Sequence, residues 1–131
     1  MNPVVHFEMP ADDKKRMSDF YAKTFGWKIQ QLGPEMGEYV LATTAETDKK
    51  GMLQKPGAIN GGFYQRTDDK VSQYPSVVIS VDSLKEHIKK VEEAGGKILG
   101  EQMDIPGVGL YISFSDTEGN RVGMLEPAAA M

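Results

Sequence analysis

His6 and Glu8 are the two residues whose types and spacing are best suited to chemistry. They stand two apart in Val4–Met9, a run in which every second residue is apolar. This alternation predicts a β-strand, and residues two apart on a strand share one face. An imidazole beside a carboxylate can bind a metal ion, pair as a base and its orienting group, or line a ligand site. The same pair is typical of the hydrated face of a half-buried strand, so all four interpretations stay open.

The remaining candidates lie in the second half of the chain. Ser76 and Ser80 belong to a strand-like run and would line a ligand site if they share the orientation of His6. Their hydroxyls are equally compatible with a strand that is partly exposed to water. Glu126 is a further carboxylate for a metal ion. It follows Gly123 by an odd number of residues, so it should point away from that face unless a bulge turns it inward. The chain has no cysteine, which excludes thiolate ligands and cysteine nucleophiles.

The elements that would position these residues occur twice. Three landmarks, a strand, a helix cap and a helix stop, keep one offset of 70 residues. They are the pairs His6 and Ser76, Asp12 and Asp82, and Gly26 and Gly96. One such match would mean little, but three at a constant shift indicate an internal duplication.

Each half is predicted to contain one helix after its first strand. Asp12 or Asp13 would cap the first helix and Gly26 would end it, whereas Asp82 or Ser83 would cap the second. Apolar residues at helical spacing predict one buried stripe on the first helix. They are Met17, Phe20, Tyr21 and Phe25.

Three further strands are predicted in each half, at about 28–31, 39–43 and 59–66 and at about 97–103, 110–115 and 121–126. The lysine-rich stretch 44–56 is expected to be an exposed loop. Each half is therefore a βαβββ unit, and two such units in tandem predict an α+β fold.

The chain resembles the glyoxalase, bleomycin-resistance and extradiol-dioxygenase superfamily (the vicinal-oxygen-chelate superfamily) over nearly its whole length. The specific matches are the aromatic cluster Phe20-Tyr21 with Phe25-Gly26-Trp27 and the turn Asp116-Thr117-Glu118-Gly119-Asn120. The resemblance implies a single glyoxalase-like domain, 1–131, with repeat units at about 3–66 and 75–127. It also implies curled mixed sheets around a cavity, and a homodimer.

The resemblance implies four metal-ligand positions, of which His6 fills one. Ser76 stands at the matching position of the second half, and Gly123 stands where a glutamate would be. The closing strand of the first half, Asn60-Gly61-Gly62-Phe63, has no carboxylate at the expected place. A neutral hydroxyl is a poor ligand for the ions that imidazole and carboxylate groups bind.

Three functions follow from this pattern. The favoured one is binding of a small organic molecule in the cavity by His6, Glu8, Ser76 and Ser80, without a full metal site and without a cofactor. The alternative is a divalent-metal-dependent lyase, isomerase or dioxygenase, with the metal ion held by His6, Glu8 and Glu126. A purely structural role for the dimer is the third.

Composition excludes other classes of partner. The net charge of −4 provides no basic patch for a phosphate backbone, so no nucleic acid is expected. No apolar run is long enough to cross a membrane. The N-terminus lacks the basic-then-apolar layout of a signal peptide, so the expected location is cytoplasmic.

Overall fold

The computed structural model describes residues 1–49 and 55–128. The contacts between residues divide the chain into two compact units. The first unit is His6–Pro75, and the second consists of Met1–Val5 and Ser76–Met131. The division at Ser76 lies one residue from the predicted start of the second repeat.

The first unit contains one helix and the strands of a mixed sheet. Its elements are β1 (Val4–Ala11, from His6 onward), α1 (Lys14–Phe25), β2 (Lys28–Gln31), β3 (Val40–Thr43) and β4 (Asn60–Gln65). The strand order is β2-β3-β4-β1, with β4 parallel to β1 and antiparallel to β3. The structure describes parts of the predicted loop 44–56, whose residues 50–54 lie outside the described chain.

Helix α1 begins and ends where the sequence predicts. The Asp13 side chain accepts a hydrogen bond from the Arg16 backbone N–H (3.0 Å), and Gly26 adopts the left-handed conformation (φ 73°) at the other end. The predicted apolar stripe is wrong in two positions, because Phe20 is 55% exposed and Phe25 is 60% exposed. Met17 and Tyr21 pack on the core, and the two phenylalanines lie on opposite sides of them, about 140° apart around a helix of 3.6 residues per turn, so each falls at an edge of the buried stripe.

The core of the first unit lies between α1 and one face of the sheet. Val40, Ala42 and Phe63 are buried there. Further side chains from the helix and strands pack against them: Phe7, Met9, Met17, Tyr21, Trp27 and Ile29. Since Phe7 and Met9 face this core, alternation directs His6 and Glu8 to the opposite face, as the sequence predicts.

The second unit repeats the same connectivity. Its elements are β5 (Ser76–Ser80), α2 (Leu84–Glu93), β6 (Lys97–Ile105), β7 (Gly109–Ser115) and β8 (Arg121–Pro127). The order is β5-β8-β7-β6, with β5 parallel to β8. The predicted α+β architecture of two βαβββ units is therefore confirmed.

Helix α2 is capped by Ser83, whose Oγ accepts a hydrogen bond from the Glu86 backbone N–H (3.2 Å). Its apolar side packs on the sheet around a buried cluster: Val81, Leu84, Ile112 and Met124. In the described part of the chain, neither helix is long and apolar enough to span a membrane.

Candidate functional site

The sheet of the first unit has one face turned away from α1, and this face carries the candidate residues. Strand register pairs Glu8 with Gly62, and Gly62 with Leu41 on β3. Paired residues share a face, and so do residues two apart on a strand, so His6 and Tyr39 belong to the same surface. We call the surface formed by His6, Glu8, Tyr39, Leu41 and Gly62 the His6 face.

Tyr39 joins the two residues that the sequence singles out. Its hydroxyl lies 3.2 Å from His6 Nε2 and donates a hydrogen bond to Glu8 Oε2 over 3.4 Å. Glu8 is only 9% exposed, and His6 and Tyr39 are half-buried. The structure therefore brings an imidazole, a phenol and a carboxylate into one hydrogen-bonded set.

Burial determines the charge of the imidazole. Desolvation lowers the pKa of His6 below its ordinary value of 6.5, and the nearby charge of Glu8 opposes this with a smaller effect. His6 is therefore neutral at pH 7, and a neutral imidazole has one N–H donor and one lone-pair acceptor.

Two glycines leave room for the aromatic rings beside them. A Cβ atom on Gly62 would overlap the ring of Tyr39, and one on Gly61 would overlap the ring of Phe7 on the opposite face. The absence of a side chain at Gly62 therefore lets Tyr39 lie close enough to the sheet to reach His6.

Sequence reasoning placed Tyr39 at the start of a strand but did not identify it as part of a site. Alternation on β3 puts Tyr39, Leu41 and Thr43 on one side of the strand. Which face of the sheet that side joins depends on how β3 pairs with β4, more than 15 residues later in the chain. Sequence pattern alone does not supply that register.

Ser76 and Ser80 lie in the second unit on the side of its sheet away from α2. Strand register pairs Val78 with Gly123, so the two serines share the face of Gly123. The Ser76 hydroxyl is buried and has no hydrogen-bond partner among the described residues. Ser80 is half-buried.

The same face carries a second polar cluster that the sequence did not single out. Ser113 Oγ lies 3.2 Å from the Tyr111 hydroxyl and accepts a hydrogen bond from Arg121 Nη2 at 3.1 Å. A Cβ atom on Gly123 would lie 2.7 Å from the ring and hydroxyl of Tyr111. Both units therefore place a tyrosine against a glycine of their last strand.

Glu126 has a structural partner. Its Oε1 accepts a hydrogen bond from the Leu84 backbone N–H (2.8 Å), the first residue of α2. The carboxylate thus faces the helix side of its sheet, as strand parity from Gly123 predicts. A carboxylate at this position stabilises the free N–H groups and the positive end of the helix.

Side chains that could bind a divalent metal ion are few on the described part of the His6 face. Within 1–49 and 55–128, no group of three His, Cys, Asp or Glu side chains is arranged to hold one. On the His6 face there is one imidazole, whose Nε2 already contacts Tyr39, and one carboxylate. Structural and catalytic zinc sites use at least three protein ligands.

Comparison with known proteins identifies the family. Residues 4–124 match the model of the Glyoxalase/Bleomycin resistance protein/Dioxygenase superfamily. A glyoxylase-like domain-containing protein from Didymella fabae is 34% identical over 116 residues, which are 86% of this chain and 84% of that protein.

Solved structures share the fold. A variant of methylmalonyl-CoA epimerase from Streptomyces coelicolor aligns with a TM-score of 0.71 and 14% identity, covering 99% of this chain and 97% of that one. A hypothetical protein from Bacillus halodurans aligns with a TM-score of 0.67 and 16% identity over 99% and 97% of the two chains. At these identities the alignments show the fold alone. The match of the family model over residues 4–124, with the 34% identical relative, shows that this chain belongs to the Glyoxalase/Bleomycin resistance protein/Dioxygenase superfamily.

Proposed function

We propose that the chain binds a small organic molecule at the His6 face without using a metal ion. The observation that carries this proposal is the Tyr39 hydroxyl, which contacts both His6 Nε2 and Glu8 Oε2. A phenol thus contacts both of the side chains that the sequence offers as metal ligands on this face.

The composition of the His6 face supports a role in ligand binding. Small-molecule sites combine apolar and aromatic surface with a few polar groups that orient the ligand. Leu41 and the Tyr39 ring supply the first kind of contact, and His6 and Glu8 supply the second. Glu8 is only 9% exposed, and burying a charge costs free energy. A carboxylate on a face that is merely hydrated would not be buried to this extent.

The donor set supports the absence of metal chemistry. The family positions at Ser76 and Gly123 offer no imidazole or carboxylate, and Glu126 accepts a hydrogen bond at the start of α2. We therefore prefer binding to the alternative of a metal-dependent lyase, isomerase or dioxygenase. Elemental analysis of untagged protein, purified without chelator, tests this choice. One tightly held Ni, Zn, Mn or Fe per chain would reverse it.

The binding itself is tested with a fragment and metabolite screen by thermal shift. Each hit is repeated on His6→Ala and on His87→Ala, a matched control on α2 whose Nδ1 lies 3.2 Å from the Ser83 carbonyl. Loss of a well-aligned polar contact should weaken binding to the His6 variant about ten- to a hundredfold. The control should bind as wild type does. Hits that bind both variants with wild-type affinity would place the ligand elsewhere.

A further inference from the structure

We infer that His6 Nδ1 is the atom that contacts the ligand, and that the ligand is a molecule presenting an O–H or N–H donor to it. In the same arrangement Gly62 is a positioning residue, because it holds the Tyr39 ring that orients His6. This inference rests on the proposed function, since it names the class of ligand bound at the His6 face.

The chemistry of the three side chains sets the direction of their hydrogen bonds. A carboxylate only accepts hydrogen bonds, so the single O–H of Tyr39 is donated to Glu8. The Tyr39 oxygen is then left as the acceptor toward His6, and Nε2 must carry the hydrogen that it receives. Because His6 is neutral, a proton on Nε2 leaves Nδ1 with a lone pair.

The Nδ1 atom of His6 receives no hydrogen bond from a described residue. The only hydrogen bond of the His6 ring to a described residue is the one at Nε2. Nδ1 is not among the fully buried polar atoms of the described residues that lack a partner, so this atom of the half-buried ring retains some solvent exposure. A lone pair that is fixed in direction, accessible and without a protein donor is suited to accept from a ligand.

Tyr39 and then Glu8 lie behind the imidazole, on the side of Nε2. When a ligand donor shares its proton with Nδ1, positive charge develops on the ring. The Nε2–H then donates more strongly to Tyr39, and Glu8 lies beyond it to offset that charge. Acidic donors such as phenols therefore suit the site better than aliphatic alcohols do.

Gly62 keeps this arrangement in place. A Cβ atom at this position would overlap ring atoms and the hydroxyl of Tyr39, so Gly62→Ala must displace the phenol. Once the hydroxyl leaves, Nε2 loses the acceptor that favours the Nε2–H form. Gly62 thus acts on the ligand through Tyr39 and His6, without contacting the ligand.

The tautomer is measured first, by long-range ¹H–¹⁵N NMR of the imidazole rings in the protein without ligand. The chain has two histidines, and His87→Gln assigns their signals. We expect the Nε2–H form in wild type and a mixture of tautomers in Tyr39→Phe and Gly62→Ala. Tyr74→Phe, at a residue that is 75% exposed, and Gly33→Ala are the matched controls and should resemble wild type. An Nδ1–H form in wild type, or no change in Tyr39→Phe, would overturn the inference.

The ligand class is measured by titrating phenol and anisole, which differ in the O–H group. Phenol should move the His6 Nδ1 resonance and bind about tenfold more tightly than anisole, because only phenol can donate. Equal effects of the two probes, or an Nδ1 resonance that phenol leaves unmoved, would count against the inference. These outcomes are distinguishable from failure of the proposed function, in which the broader screen yields no ligand sensitive to His6→Ala.

Discussion

The ring of Tyr39 lies against Gly62 on the neighbouring strand. It occupies the space that a side chain at Gly62 would fill. The second unit has the same relationship between Tyr111 and Gly123. In both units the tyrosine stands two residues before the strand partner of the glycine, Leu41 in one and Ser113 in the other. The duplication therefore extends from connectivity to packing on the sheet face.

Gly62→Ala should destabilise the protein by about 1–3 kcal/mol, because it forces a methyl group into a buried position that the Tyr39 ring fills. Urea unfolding at pH 7 measures the loss. The control is Gly33→Ala, where an added Cβ meets only the carboxylate of the exposed Glu35 side chain, which can move away. We expect that control to change stability by less than about 0.5 kcal/mol. Equal effects of the two substitutions would contradict the packing argument.

The lowered pKa of His6 predicts a loss of stability in mild acid. In the unfolded chain His6 takes up a proton near pH 6.5, whereas burial lowers its pKa in the folded protein. Between these two pKa values the unfolded chain binds the proton and the folded chain does not. The stability contribution is thus intact above pH 6.5 and is lost as the pH falls toward the lowered folded pKa.

This pH dependence is checked by urea unfolding from about pH 7.5 to about pH 5. The free energy of unfolding of His6→Gln should decrease less steeply over this pH range than that of wild type, because glutamine does not titrate. His87→Gln is the control and should keep the wild-type slope. A His6→Gln variant that loses stability as steeply as wild type would show that other groups cause the effect.

Removing the carboxylate of Glu126 should weaken the start of α2. Leu84 is fully buried, and Glu126→Ala leaves its backbone N–H without an acceptor. We expect a loss of about 1–2 kcal/mol in the free energy of unfolding, and a smaller loss for Glu126→Gln, which keeps an acceptor oxygen. Binding of hits at the His6 face should be unchanged. A variant that folds with wild-type stability but no longer binds those hits would give Glu126 a role in the ligand site.

The oligomeric state is a separate prediction. We expect a homodimer, since the family that the chain belongs to suggests one and since Phe20 and Phe25 leave apolar surface exposed on a single chain. Light scattering at micromolar concentration gives the mass directly. A mass of one chain that does not depend on concentration would contradict this prediction.

The sequence by itself determined the duplication, the α+β class and the faces of the strands. These features depend on local causes: alternation sets which residues share a face, and capping residues such as Asp13 and Ser83 set where helices begin. His6 and Glu8 could be placed on one surface because they lie on a single strand. Predicted strand limits agree with the observed ones to within two residues.

Only the tertiary structure decided which groups meet at the site. The Tyr39 hydroxyl reaches His6 and Glu8 from more than 30 residues away, because β4 pairs with β1 on one side and β3 on the other. The Leu84 partner of Glu126 and the exposure of Phe20 likewise depend on how each helix packs on its sheet. Periodicity fixes the face to which a side chain points, whereas strand order and register fix its neighbours.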